Sequence, residues 1–165
     1  MTDERLGEGL WAALRRLPRG SGVVFRHYAT PVQERRALFR RVVRIARARG
    51  LVVVRAGERA GLGEDGVHGA VRGRGLRTAP VHDRREAVAA VRRGAEVLFV
   101  SPVFATRSHP GAEALGPRKA RWIVQGLPVV VIALGGMDAR RFRGMAGFDG
   151  WAAIDAWGAG SSGAK

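Results

Sequence analysis

A chain of 165 residues, 46% of them hydrophobic, suffices for one domain with a buried core. Its 29 Lys+Arg against 14 Asp+Glu leave a formal charge of +15, and the absence of cysteine excludes disulfides, thiol nucleophiles and Cys-ligated metal sites. No apolar run approaches the ~18 residues needed to cross a bilayer, and Met1-Thr2-Asp3-Glu4 is not a secretory leader, so a cytoplasmic protein without membrane contacts is expected.

The first periodic stretch places Leu10, Ala13, Leu14 and Leu17 on one helical face, ending at Pro18. Gly22-Val23-Val24-Phe25 then reads as a buried strand. Thr30-Pro31 opens a helix, with threonine as N-cap and proline in the first turn. Leu38, Val42, Ile45 and Ala46 fall on one stripe of it, and Gly50 ends it. Leu51–Val54 is the next strand. Residues 57–75 are rich in Gly and Arg, carry no helical pattern, and contain the short strand Gly66-Val67-His68. Leu76-Arg77-Thr78 follows. Asp83 caps a helix, with Glu86 three residues on as in a capping box; Ala87, Val88 and Val91 form its apolar face, and it stops at Gly94. Strands Val97–Val100, Val129–Ala133 and Trp151–Ile154 alternate with helices after Gly116-Pro117 and after Asp138.

Unbroken β-branched runs indicate strands covered on both faces, as in a parallel sheet, and the repeated strand–helix order indicates an α/β fold. Seven strands in so short a chain favour a barrel with tight loops over a doubly wound sheet. Residues 1–157 are read as one domain, and 158–165 as a flexible tail.

Only Lys119 and Lys165 are lysines, so arginine carries nearly all the positive charge, spread through every helix beside heavy Ala and Gly usage. That is a chain-wide bias rather than one clustered face. Tyr28 is the single tyrosine. No nucleic-acid partner is expected; the charge suits small phosphorylated ligands better.

In βα-barrels the site is built where strands end. His27, His68, His82 and His109 all fall there, with Arg26, Ser101, Thr106 and Asp155. A histidine-lined rim with Asp155 could hold the metal of a hydrolase, although no His-x-x-x-His or His-x-His pair is present. A phosphate site has more support. Leu134-Gly135-Gly136-Met137-Asp138 follows a buried strand and precedes a helix, where backbone N–H groups can approach an anion, although Gly-Gly also makes ordinary tight turns. The loop Ser101-Pro102-Val103-Phe104-Ala105-Thr106-Arg107-Ser108-His109-Pro110-Gly111 adds hydroxyls, an arginine and a histidine after another strand.

At these residues the sequence resembles the thiamine phosphate synthase/TenI family. The stretches that carry the resemblance are Gly66-Val67-His68, Gly94-Ala95-Glu96, Ser101 through Thr106, Ser108-His109-Pro110-Gly111, Leu115-Gly116, and Pro128-Val129 through Gly135-Gly136. The resemblance implies a (β/α)8 TIM barrel that joins hydroxymethylpyrimidine pyrophosphate to thiazole phosphate, releasing pyrophosphate with help from Mg²⁺. Arg26 matches an arginine on the leaving pyrophosphate. Thr106 and Ser108 match a hydroxyl pair on phosphate oxygens, and Gly135 and Gly136 match the backbone cradle of the thiazole phosphate. Ile154 and Asp155 stand beside the second phosphate site. The implied partners are phosphorylated pyrimidine and thiazole molecules.

The departures from the family pattern are specific. Val24 and Tyr28 replace the Gln and Lys flanking that arginine. Arg55-Ala56 stands where an Asn-Asp supplies a magnesium ligand, and Gly69-Ala70-Val71-Arg72 lacks the second carboxylate, so no Mg²⁺ ligand is identified. Pro80 replaces a serine, His109 a lysine and Asp155 a serine; Pro102 replaces the histidine of the tautomerase branch. Arg26, Arg55 and Arg107 are the expected substitutes for the cation's charge. Met1 falls at the end of the family's first strand, so the barrel is expected to lack most of that strand, with self-association into a homo-oligomer as one consequence. The leading reading is a synthase-like transferase. The alternatives are a non-catalytic relative that binds phosphorylated thiazole or thiamine, and the histidine-lined metal hydrolase.

Overall fold

The computed structural model describes residues 1–57, 62–69, 74–106, 111 and 113–154. They form two compact units, one of Met1–Gly75 with Ile154, the other of Leu76–Ala153. Residues 158–165, expected as a tail, lie outside the described residues.

The first unit begins with Thr2, whose backbone N–H donates to the Val24 carbonyl at 2.8 Å, and a single 3₁₀ turn, Glu4–Leu6. Helix α1 (Gly9–Arg16) buries Leu10, Trp11, Ala13 and Leu14 and gives way before Pro18, which disfavours helical backbone in the residue ahead of it. Strands β1 (Gly22–Phe25), β2 (Val52–Ala56) and β3 (Gly66–His68) pair in parallel, with Phe25 opposite Arg55 and Ala56 opposite His68. Helix α2 (Val32–Arg49) connects β1 to β2. Its cap position is Pro31 rather than Thr30, with no side-chain cap, and Gly50 ends it in the left-handed conformation that glycine tolerates best. The buried stripe is Phe39, Val42, Val43 and Ala46, one step round from expectation; Leu38 and Ile45 are its half-buried flanks. The Phe39 ring decides this, lying 4.9 Å from that of Phe25 at the centre of the layer. Val23, Phe25 and Val53 face the helices.

The second unit contains β4 (Leu76–Val81), α3 (Arg84–Arg92), β5 (Val97–Val100), α4 (Gly116–Val124), β6 (Val130–Leu134), α5 (Ala139–Phe142) and β7 (Gly150–Ala152). Its four strands also pair in parallel, each with its neighbour in sequence. Val81, Leu98, Val100, Val131 and Ala133 pack against Ala87, Ala90, Ala120 and Ile123 of the helices. Strand β4 runs past Thr78 through Pro80, whose missing donor hides the strand from a sequence reading. Asp83 caps α3, accepting from the Glu86 N–H at 2.8 Å, and Glu86 returns to the His82 N–H at 2.7 Å, so the expected capping box forms one residue early on its return arm. Val88 of that helix is half-buried, and Ala90 is buried in its place.

One device recurs in both units. An acidic residue directly before a strand clasps the start of the preceding strand with side chain and backbone together. Asp65 accepts from the Val53 N–H at 2.7 Å and donates its own N–H to the Val53 carbonyl at 2.8 Å. Glu96 does the same to Arg77, at 3.0 and 2.8 Å, and Asp149 to Val131, at 2.7 and 2.9 Å. Each clasp fixes register where a one-residue slip would turn every side chain to the wrong face.

The architecture is thus α/β, with parallel strands in sequence order, as expected.

Candidate active site

The strands' C-terminal ends carry the expected polar residues, in two groups. In the first unit, alternation along β1–β3 puts Val24, Val54, Ala56 and His68 on the face turned away from α1 and α2, and Arg26 continues that face beyond β1. Arg26 is half-buried, its guanidinium 5.9 Å from the Tyr28 ring, and both of its backbone groups are held by side chains. Its N–H donates to Thr2 Oγ1 at 3.1 Å, and its carbonyl accepts from Arg35 Nη2 at 3.1 Å. His27 follows with φ 22°, a conformation that costs a non-glycine residue about 1–3 kcal/mol. The surroundings hold it there: its ring stacks on Phe25 at 4.7 Å, and its Nδ1 lies 3.0 Å from Thr2 Oγ1. Burial lowers the His27 pKa, against the pull of Glu4 and Asp3. His68 is 6% exposed; burial first, and the Arg26 charge second, lower its pKa to about 4, so the ring is neutral at pH 7.

Arg55 lies elsewhere. Paired with Phe25, it shares the helix-facing side of β2 with Val53, 4% exposed, its guanidinium 5.9 Å from the Phe39 ring. The structure does not bring it beside Arg26 and His68.

In the second unit the loop after β5 is latched onto the end of β6. Val103 N–H donates to the Leu134 carbonyl at 2.8 Å and Phe104 N–H to the Gly135 carbonyl at 3.1 Å. Gly135 has φ 94°, and a Cβ there would lie 2.8 Å from Pro102 Cα. Gly136 has φ 58°, and a Cβ there would lie 2.5 Å from the Ala105 carbonyl oxygen. Both positions therefore require glycine. Arg141 Nη1 donates to the Gly136 carbonyl, and its guanidinium lies 4.9 Å from the Phe104 ring. The loop returns through Leu115 N–H to the Pro102 carbonyl, 2.9 Å, and Gly116 N–H to that of Val103, 3.0 Å. Thr106 follows the latch and is half-buried. The helix expected after Asp138 is the four-residue α5, and Asp138 itself accepts from the Arg141 N–H at 2.8 Å. It is too short to contribute a macrodipole of consequence.

Arg107, Ser108, His109 and Asp155 lie outside the described residues, whereas Ile154 is described and buried. His82 is exposed, its Nδ1 3.0 Å from Glu86 Oε2. Among the described residues no three His, Asp or Glu side chains approach closely enough to hold a metal. Ala56 and His68, at the ends of β2 and β3, offer no carboxylate, so these residues do not fit the oxygen-rich site that Mg²⁺ requires. A groove of about 560 Å³ lies at the opposite, N-terminal ends of β4–β6, lined by Arg77, Gly94, Glu96, Pro128, Val130 and Asp149, and contains none of the expected site residues. The sequence reading passes over Thr2 and Arg35. Arg35 is one of seven arginines on α2, and nothing in its neighbours distinguishes it.

Parallel βα units with their loops at the strands' C-terminal ends define the class: an α/β protein with all-parallel strands. The family model described as thiamine monophosphate synthase matches residues 77–157. Over this segment the chain is similar to the thiamine phosphate synthase/TenI family. The thiamine-phosphate synthase of Geobacillus thermodenitrificans is 39% identical over 79 residues, 46% of this chain and 36% of its own length. That of Chloroflexus aurantiacus is 38% identical over 78 residues, again 46% and 36%. That of Pyrococcus furiosus is 34% identical over 80 residues, 47% and 39%. The match thus spans little more than a third of these relatives' length. The solved thiamine phosphate pyrophosphorylase from Pyrococcus furiosus shares the fold, with a TM-score of 0.77 at 24% identity over 96% of this chain and 85% of that one.

Proposed function

We propose that this chain is a thiamine phosphate synthase-like transferase, joining hydroxymethylpyrimidine pyrophosphate to thiazole phosphate to give thiamine phosphate and pyrophosphate. The observation that supports the reading is the latch of Val103 and Phe104 on Leu134 and Gly135, because it lies within the family-matched segment and fixes the backbone to which the thiazole phosphate is assigned. The C–O bond between the pyrimidine methylene and pyrophosphate breaks, the electron pair leaving with pyrophosphate. The thiazole nitrogen lone pair then forms the new C–N bond. Such a reaction needs stabilisation of the leaving group and positioning rather than a general base. Arg26 is assigned to the leaving pyrophosphate, where a guanidinium can engage two oxygens. Thr106 and Ser108 hold phosphate oxygens, and Gly135 and Gly136 present backbone to the thiazole phosphate, with His109, Ile154 and Asp155 beside it. Arg55, on the helix-facing side, is assigned a packing role instead. No step is assigned to Mg²⁺.

A (β/α)8 TIM barrel lacking most of its first strand belongs to this proposal. The Thr2–Val24 bond lies on the β1 edge turned away from β2, where a preceding strand would pair. Action in the cytoplasm and self-association as a homo-oligomer are part of the same reading. A second reading, a non-catalytic binder of phosphorylated thiazole or thiamine, draws support from the missing carboxylates beside His68.

The test is turnover of the two substrates with magnesium and with chelator, reading thiamine phosphate by mass. Product formation supports the transferase. Absence of product beside an active relative, with thiazole phosphate still bound, supports the binder.

A further inference from the structure

Among the described residues β1 pairs with β2 through Phe25, and Arg26, just past that ladder, is pinned on both sides. Thr2 takes its N–H, and Arg35 reaches its carbonyl from the first turns of α2. The same Arg35 Nη2 also donates to the Ala56 carbonyl at 2.8 Å, at the end of β2. One guanidinium nitrogen therefore ties the ends of two neighbouring strands together, one residue before the positive-φ turn at His27. The rest of the group is fixed in turn: its carbon lies 5.4 Å from the Phe25 ring and 6.0 Å from that of Tyr28, and Tyr28 also faces Arg26. Nη2 of this half-buried arginine is engaged by the two backbone carbonyls, and its Nε is buried away from solvent.

We infer that Arg35 is a positioning residue, which orients Arg26 towards the anion by anchoring its carbonyl to the end of β2. The inference rests on the assignment of Arg26 to pyrophosphate. Its effect passes through Arg26 alone, so loss of Arg35 weakens binding only while Arg26 is there to be oriented.

Inorganic pyrophosphate binding to the full chain, measured by calorimetry, tests this. Arg35→Ala is expected to weaken pyrophosphate about tenfold. Arg35→Lys keeps the charge and most of the stem and is expected to recover part of that loss. Arg36→Ala, which removes the same charge from an exposed neighbour, is expected to change affinity less than twofold. In an Arg26→Lys background, adding Arg35→Ala is expected to have little further effect, because coupled residues are not additive. Equal losses in both backgrounds would overturn the inference, since a general structural role acts regardless of residue 26. So would a folded Arg35→Ala or Arg35→Lys that binds as well as the parent, or an Arg36→Ala as weak as Arg35→Ala. Failure of the parent chain to bind pyrophosphate would instead overturn the functional assignment, and this inference with it.

Discussion

Two kinds of residue govern the strand ends: glycines that let chains touch, and a histidine kept uncharged. At Gly135 a methyl group would meet the Pro102 backbone at 2.8 Å, in a conformation with φ 94° that side chains disfavour. Gly135→Ala is expected to destabilise by on the order of 3 kcal/mol, read by urea unfolding, and to weaken thiazole phosphate binding with it. An unchanged midpoint would refute the packing account. His68 supplies the second case. Its folded pKa, about 4, lies below the ordinary value of 6.5, so the unfolded chain binds the proton first as pH falls. Stability should therefore be whole above pH 6.5 and decline between there and about pH 4. At ~1.4 kcal/mol per pKa unit, the loss is on the order of 3 kcal/mol. His68→Gln should flatten that part of a melting-temperature profile; a profile with the same slope would assign the loss to other groups.

At the scale of elements, the three acidic clasps set strand register. Asp149→Ala leaves the Val131 N–H without its carboxylate and should cost about 1–3 kcal/mol. Asp149→Asn keeps an acceptor and should cost less, as comparative denaturation would show. These clasps are absent from a sequence reading because a single Asp or Glu before a Gly or Val has no periodicity to mark it. The strands themselves are legible for the opposite reason: runs such as Val97–Val100 are apolar on both faces, and their limits match the structure. The same property hides which way each side chain points. With Val53, Val54 and Ala56 all buried, no alternation reveals that Arg55 shares the helix side with Val53, so its proximity in sequence to the strand end suggests a ligand contact that the fold does not offer. The glycine pair is legible as a motif. What makes it obligatory, the approach of Pro102 and the Ala105 carbonyl, joins residues some thirty positions apart and is visible only once the chain is folded.

For the whole molecule, the charge of +15 is the dominant long-range term. Seven arginines on α2 face only Glu34 in its first turn, and Arg36, Arg40 and Arg44 repeat at every fourth residue on its exposed side. Like charges at that spacing repel by a few tenths of a kcal/mol per pair. Raising sodium chloride from 10 to 150 mM shortens the screening length from ~30 to ~8 Å, so the melting temperature should climb by roughly 2–4 °C; a fall would mean that attractive pairs outweigh the repulsion. The clasps have a consequence at this scale too. All three sit where strands begin, and the family's chemistry is assigned to where they end, so the frame is fastened at the end remote from the loops. The clasps tie β2 to β3, β4 to β5 and β6 to β7, so residues at the other end can change without shifting those three registers. A chain so arranged can change residues at one end while its scaffold stays the same.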